Sequence, residues 1–242
     1  MKLHVIWFVL VLALAGCVVP ETAPAPAPGR LPPAEQPGVA PKLDRHSAVR
    51  NFAAVVRRME PVAERICIEN TRNVPCDFQI VLDNRPGLPP NAFQTLDRRG
   101  RPVIGFTRAL IRDVRNRDEL AFVMGHEAAH HILGHIPRQQ QTAVRGAVLG
   151  GLLGVLAGVD ETGLRTAQQI GATLAVRRYS KELELEADRL GTIITARGGF
   201  DPVRGAAYFR RIPDPGDRFL GTHPPNAARI EVVRRTAARL ER

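Results

Sequence analysis

The pentapeptide His126-Glu127-Ala128-Ala129-His130 restricts what this chain can fold into more than any other stretch. Its two histidines are four residues apart, and a helix places such residues on one face. Two imidazole nitrogens can then reach one metal ion. Glu127 follows the first of them, close to the metal but outside its ligand shell. There a carboxylate can take the proton of a zinc-activated water. The flanking sequence supports the helix. Asn116 is placed to cap it with Glu119 three residues on, and Leu120, Phe122, Val123, Ile132 and Leu133 carry the apolar pattern until Pro137 ends it.

A catalytic zinc site needs a third protein ligand. His135 lies five residues past His130, which on a continuing helix turns it away from the metal face. His131 and His135 are therefore expected to be structural or surface residues. A second helix over Ser180–Arg197 offers Glu184 and Asp188, four apart: one carboxylate for the metal, the other for the distal N–H of a ligand histidine. Glu182 and Glu186 are expected to be solvated, although spacing alone prefers Glu184 to them only weakly.

With 242 residues, 44% apolar and 24% charged, the chain can form one well-cored domain plus a tail. Its formal charge of +10 is almost all arginine, because lysine occurs only at 2, 42 and 181. Such a surface suits anionic lipid or wall polymer as well as scattered solvation. No basic stripe interleaved with aromatics occurs, which argues against a nucleic-acid partner. Residues 1–16 read as a signal peptide: Lys2, an apolar run over Val5–Leu14, then Leu14-Ala15-Gly16-Cys17. That ending resembles a bacterial lipobox, which implies an acylated Cys17 and a membrane-anchored protein. Val18 in the next position favours the outer membrane over inner-membrane retention. Residues 17–42 are rich in proline and alanine and are expected to be a semi-extended tether. The domain is expected over 43–242. In an oxidising compartment Cys67 and Cys76 are expected to close a small disulfide loop, the alternative being two buried free thiols.

Along this domain the pattern predicts a helix over Asp44–Ile66 that Pro61 kinks or ends, and a strand over Phe78–Leu82. A strand, a turn at Arg99-Gly100 and a second strand follow within Asn91–Phe106, then a short helix over Thr107–Val114. Ala147–Val159 is uncharged and glycine-rich, thirteen residues long and too short to span a bilayer; a core helix or a flap is expected, the alternative being contact with a membrane surface. Helices are expected over Leu164–Val176 and Ser180–Arg197, from Asp201-Pro202, and over Pro224–Leu240.

Several segments together resemble the gluzincin peptidases that include the CAAX prenyl protease, the HtpX-type membrane protease and periplasmic quality-control proteases. They are Asn91-Ala92-Phe93; Glu119–Gly125 leading into the histidine motif; Glu184-Leu185-Glu186-Ala187-Asp188; and Thr222-His223-Pro224-Pro225 ahead of Arg229-Ile230. The resemblance implies an α+β, mainly α, zincin-like domain with a small antiparallel sheet. It implies Zn2+ held by His126, His130 and Glu184, Asp188 supporting a ligand histidine, and Glu127 as the base. His223 would cap the metal at rest or stabilise an oxyanion, and Asn91, Ala92 and Phe93 would lead into an edge strand that binds extended substrate. The expected activity is hydrolysis of internal peptide bonds in misfolded or unassembled periplasmic and outer-membrane proteins, beside the outer-membrane assembly machinery. A non-proteolytic envelope chaperone and a cell-wall amide hydrolase are the alternatives. Thr95–Arg101 replaces the family's glycine-rich step, and the spanning helices and docking repeats of some relatives are not seen in the sequence.

Overall fold

Asp44 starts the first helix by accepting a hydrogen bond from the Ser47 amide. That helix, α1, runs over Arg45–Asn70. Pro61 does not end it: the stripe Val55, Met59, Ala63 and Ile66 is buried on both sides of the proline, and this packing outweighs one lost backbone hydrogen bond. The computed structural model describes residues 44–214 and 224–241. The expected signal peptide, the tether, Cys17 and His223 lie outside them. Cys67 and Cys76 are joined in a disulfide with their Cα atoms 5.7 Å apart, tying the end of α1 to the first strand's approach.

The strands are β1 (Gln79–Asp83), β2 (Ala92–Leu96) and β3 (Pro102–Thr107). β2 and β3 form an antiparallel hairpin around a turn in which the Asp97 carboxylate accepts from the amides of Arg99 and Arg101, with Gly100 at φ 80°. The sheet is nevertheless mixed, correcting the all-antiparallel expectation. β1 pairs in parallel with the far side of β3, giving the order β1-β3-β2. The reason is burial. β3 is the most enclosed strand, with Ile104 and Phe106 fully buried, and it takes the centre with a partner on each edge. Two chain reversals between β1 and β3 leave them pointing the same way.

The short α2 (Arg108–Asp113) leads to α3 (Arg117–Ile132), which passes through the middle of the fold. Asn116 accepts from the Glu119 amide, and Glu119 in turn accepts from the Arg115 amide and from both terminal nitrogens of Arg211. Met124, Ala128 and Ala129 are buried along α3 with Phe106 of β3, Phe78 just before β1 and Met59 of α1, whereas Phe122 packs in a second cluster with Ala206, Phe209 and Val233. Each large side chain buried there contributes about 1.5–3 kcal/mol.

α3 stops at Ile132, before the proline expected to end it. Gly134 adopts the left-handed conformation, φ 64°, and α4 (His135–Leu156) begins at once. Pro137 falls in the first turn of α4, where its missing N–H is harmless. α5 (Glu161–Arg197) is one continuous helix of 37 residues in place of the two expected. Nothing between 176 and 180 is a glycine or proline that would break it. α4 and α5 form a long hairpin whose backbones nearly touch: a Cβ on Gly146 would fall 2.4 Å from the Gly171 carbonyl oxygen, and one on Gly150 2.2 Å from that of Ala167. This contact is what the glycine-rich stretch serves. It is a regular helix, but its outward side chains, such as Val148, Leu152 and Leu156, are exposed, so it is not a core helix. No helix among the described residues is long and apolar enough to cross a membrane. α6 (Pro202–Ala206), capped by Asp201, and a single 3-10 turn (Ala207–Arg210) lead on to α7 (Asn226–Leu240), which packs against α5.

Candidate metal centre

The site forms where α3 and α5 cross. A Cβ on Gly125 would sit 2.9 Å from the Gly191 carbonyl oxygen, and one on Gly191 2.9 Å from the His126 amide nitrogen. Without side chains at the crossing, the helices approach closely enough for residues on each to share one small volume. His126 Nε2 lies 3.0 Å from His130 Nε2, and the Glu184 carboxylate reaches 3.5 Å from each. One donor atom from each of the three residues falls within 4.8 Å of the other two. The remaining ring nitrogen of His126, Nδ1, donates to Asp188 Oδ1 at 3.0 Å, leaving the Nε2 lone pair directed at this volume. Asp188 is fully buried, and Arg229 of α7 holds it by two hydrogen bonds, Nε to Oδ2 at 2.8 Å and Nη2 to Oδ1 at 2.7 Å.

The electrostatics fit a cation. Burial disfavours charge on His126, yet the Asp188 and Glu184 carboxylates outweigh it and raise its pKa to about 10. Burial, then the charge on His126, lowers His130 to about 3. The carboxylates thus hold one positive charge among the histidines, which a divalent ion would replace. Burial would raise Asp188, but Arg229 and His126 keep it below the usual carboxylate range. Glu127 does not join the three donors. Burial lifts its pKa to about 7, and the Gln94 amide on β2 donates to it.

Residues 50–237, most of the chain, match the pattern of Peptidase family M48. The chain belongs to peptidase family M48. Over 147 residues it is 29% identical to the beta-barrel assembly-enhancing protease of Yersinia pestis, covering 55% of this chain and 30% of that protein. Over 123 residues it is 31% identical to a putative beta-barrel assembly-enhancing protease of Vibrio cholerae, covering 48% of this chain and 25% of the other. It is also 28% identical over 165 residues to the mitochondrial metalloendopeptidase OMA1 of Saccharomyces cerevisiae, covering 64% of this chain and 45% of that one. The matches therefore span less than half the length of these relatives.

In this M48 chain a cleft of about 910 Å3 opens over the three donors. Asn91, Ala92, Glu127, Tyr208, Arg229 and Asp214 are among its lining residues. Phe93 is not. Its ring folds over Gly105 on the partner strand, where a Cβ would meet it at 2.2 Å. Of the three residues expected to lead substrate in, two face the cleft and one is a packing residue.

Two further expectations are corrected. His135 is 2% exposed, and its Nδ1 lies 2.8 Å from Nδ1 of His130. The expectation assumed one helix through both residues, but the left-handed turn at Gly134 starts a new helix that brings His135 back under His130. Glu186 is half-buried and bonded to Arg138, 2.6 Å from Nη1 to Oε2. Arg229 is the site residue whose role sequence reasoning missed. The i+4 pair Glu184 and Asp188 points toward α7 as well as α3, and a buried carboxylate needs a cation, which was the available signal.

Proposed function

We propose that this chain is a zinc-dependent endopeptidase of the bacterial cell envelope that hydrolyses internal peptide bonds in misfolded or unassembled envelope proteins. The observation that carries this reading is the convergence of His126, His130 and Glu184, with Glu127 beside them in an open cleft. Membership of family M48 and the names of the relatives support it. The donor set, two imidazoles and a carboxylate, fits a catalytic zinc site, the ion taking the place of the proton on His126. Zinc there would acidify a water and polarise the scissile carbonyl.

The chain's own residues supply the rest. Asp188 and Arg229 orient His126. Glu127 takes the proton of the attacking water and returns it to the leaving amine. A carboxylate whose pKa lies near neutrality suits both steps. β2 is the sheet's edge. Residues 91, 93 and 95 pair with β3, since Asn91 O accepts from the Thr107 amide, so Ala92, Gln94 and Leu96 turn their backbone groups outward. An extended substrate adds along that edge and lays its carbonyl over the donors. His223, which lies outside the described residues, takes its role from the resemblance of Thr222-His223-Pro224-Pro225: it stabilises the developing oxyanion or caps the site at rest. Cys17 carries the lipid that anchors the enzyme at the periplasmic face of the outer membrane, beside the assembly machinery that the relatives' names indicate.

The test is zinc content and cleavage of an unfolded outer-membrane β-barrel protein by wild type and Glu127→Gln. Stoichiometric zinc in both, with cleavage reduced about 100-fold or more in the variant, is expected. Equal cleavage by both, or wild type without zinc, sinks the proposal.

A further inference from the structure

We propose that His135 is a positioning residue for the metal centre, fixing His130 from behind as Asp188 fixes His126. The inference rests on the metal-site reading above. It begins with the two histidines of the motif. Each directs Nε2 into the shared volume, so each must carry its proton on Nδ1 to leave that lone pair free. His126 Nδ1 donates to Asp188. Among the described residues, no carboxylate pairs with His130 Nδ1. What it has is His135 Nδ1 at 2.8 Å, with the two ring planes 79° apart.

Two nitrogens this close cannot both carry protons. The N–H of His130 therefore donates and His135 accepts on Nδ1, which puts the proton of a neutral His135 on Nε2. That atom is sealed from solvent and has no hydrogen-bond partner at ideal geometry among the described residues, but Glu186 Oε2 lies 3.4 Å away. Glu186 is clamped from the other side by Arg138, Nη1 to Oε2 at 2.6 Å and Nη2 to Oε1 at 3.3 Å. A chain of contacts thus runs His130–His135–Glu186–Arg138, alternating α3, α4, α5, α4. It settles the tautomer of each histidine by donor and acceptor matching alone.

The arrangement is built rather than incidental. His135 is the first residue of α4, and it reaches His130 only because Gly134 takes φ 64° between the helices. Its side chain is 3% exposed, a site where an imidazole with no polar task would be replaced by an apolar group. Groups behind a ligand histidine set ring orientation and basicity, and losing one costs about 10–100-fold in metal affinity.

The test uses the purified full-length chain and two readouts besides peptidase activity: zinc affinity by competition with a chromogenic chelator, and the visible spectrum of the Co2+-substituted protein. His135→Phe keeps an aromatic of similar size and removes the acceptor. It is expected to weaken zinc binding about 10–100-fold and to shift the Co2+ bands. His135→Gln can accept with Oε1 and donate with Nε2, and it is expected to recover most of the loss. Glu186→Ala lies on a half-buried helix surface, tolerates folding if His135→Phe does not, and is expected to weaken zinc binding several-fold. Glu182→Ala, exposed on the same helix, is expected to match wild type. If wild type binds no zinc, the metal-site reading fails. If wild type binds zinc while His135→Phe or Glu186→Ala binds as tightly, with the same Co2+ spectrum, the positioning role is overturned.

Discussion

Asp188 and Arg229 form a two-point ion pair between α5 and α7, with hydrogen bonds of 2.7 and 2.8 Å and the carboxylate wholly buried. The same carboxylate accepts from His126, so the pair joins helix docking to the geometry of the candidate centre. Asp188→Asn removes the closer of two carboxylates at the Arg229 guanidinium, itself 7% exposed, and leaves Glu184 Oε2 at 3.3 Å from Nη2. Breaking a buried pair from one side costs about 3–5 kcal/mol. Urea unfolding of the metal-free variant is expected to show that loss, and zinc affinity to fall with it. A change below about 1 kcal/mol would mean that Glu184 alone compensates Arg229.

The α3–α5 crossing depends on an absent side chain. Gly191→Ala puts a Cβ 2.9 Å from the His126 amide nitrogen, against backbone that cannot swing aside. The helices must separate, which costs about 1–3 kcal/mol. Because His126 and Glu184 sit on opposite sides of that contact, zinc binding is expected to weaken more than it does for Gly163→Ala, far away on the same helix. Equal zinc affinity in both variants would argue against the crossing as the device that sets donor spacing.

Substrate addition along β2 can be separated from the chemistry. Proline is tolerated on a sheet edge where its missing N–H faces outward. Ala92→Pro keeps the β2–β3 pairing but removes an outward donor. The expected result is an unchanged melting temperature with kcat/KM on an unfolded protein reduced about tenfold, mostly through KM. Unaltered kcat/KM would rule out strand addition at this edge.

His131 provides a pH signature. It is 8% exposed, donates from Nε2 to the Pro75 carbonyl at 2.7 Å and packs edge-on to Phe78. Burial lowers its pKa below 6.5, and the carbonyl only partly restores it. The unfolded chain therefore takes up a proton near 6.5 that the folded chain refuses. This contribution is complete above pH 6.5 and is lost as the pH falls toward the folded value, at no more than about 1.4 kcal/mol per pH unit. His131→Gln, which keeps an N–H donor, is expected to be less stable than wild type at pH 7.5, with a gap that narrows at pH 5. A gap independent of pH would contradict this assignment.

The sequence by itself determined the local chemistry. A 3.6-residue period forces His126 and His130 onto one face, Asn116 and Glu119 cap the helix that carries them, and Glu184 and Asp188 share a face for the same reason. These are short-range relations, set by backbone geometry within a few residues. Tertiary structure alone decided how those faces meet. The bend at Gly134 made His135 a neighbour of His130, although helical spacing places it on the far side. The pairing of β1 with β3 followed from burying the most apolar strand, a property of the whole sheet. Arg229, more than forty residues beyond Asp188, became its partner because a buried carboxylate must find a cation wherever the fold supplies one. Contacts between distant segments depend on packing the entire core, which no local pattern encodes.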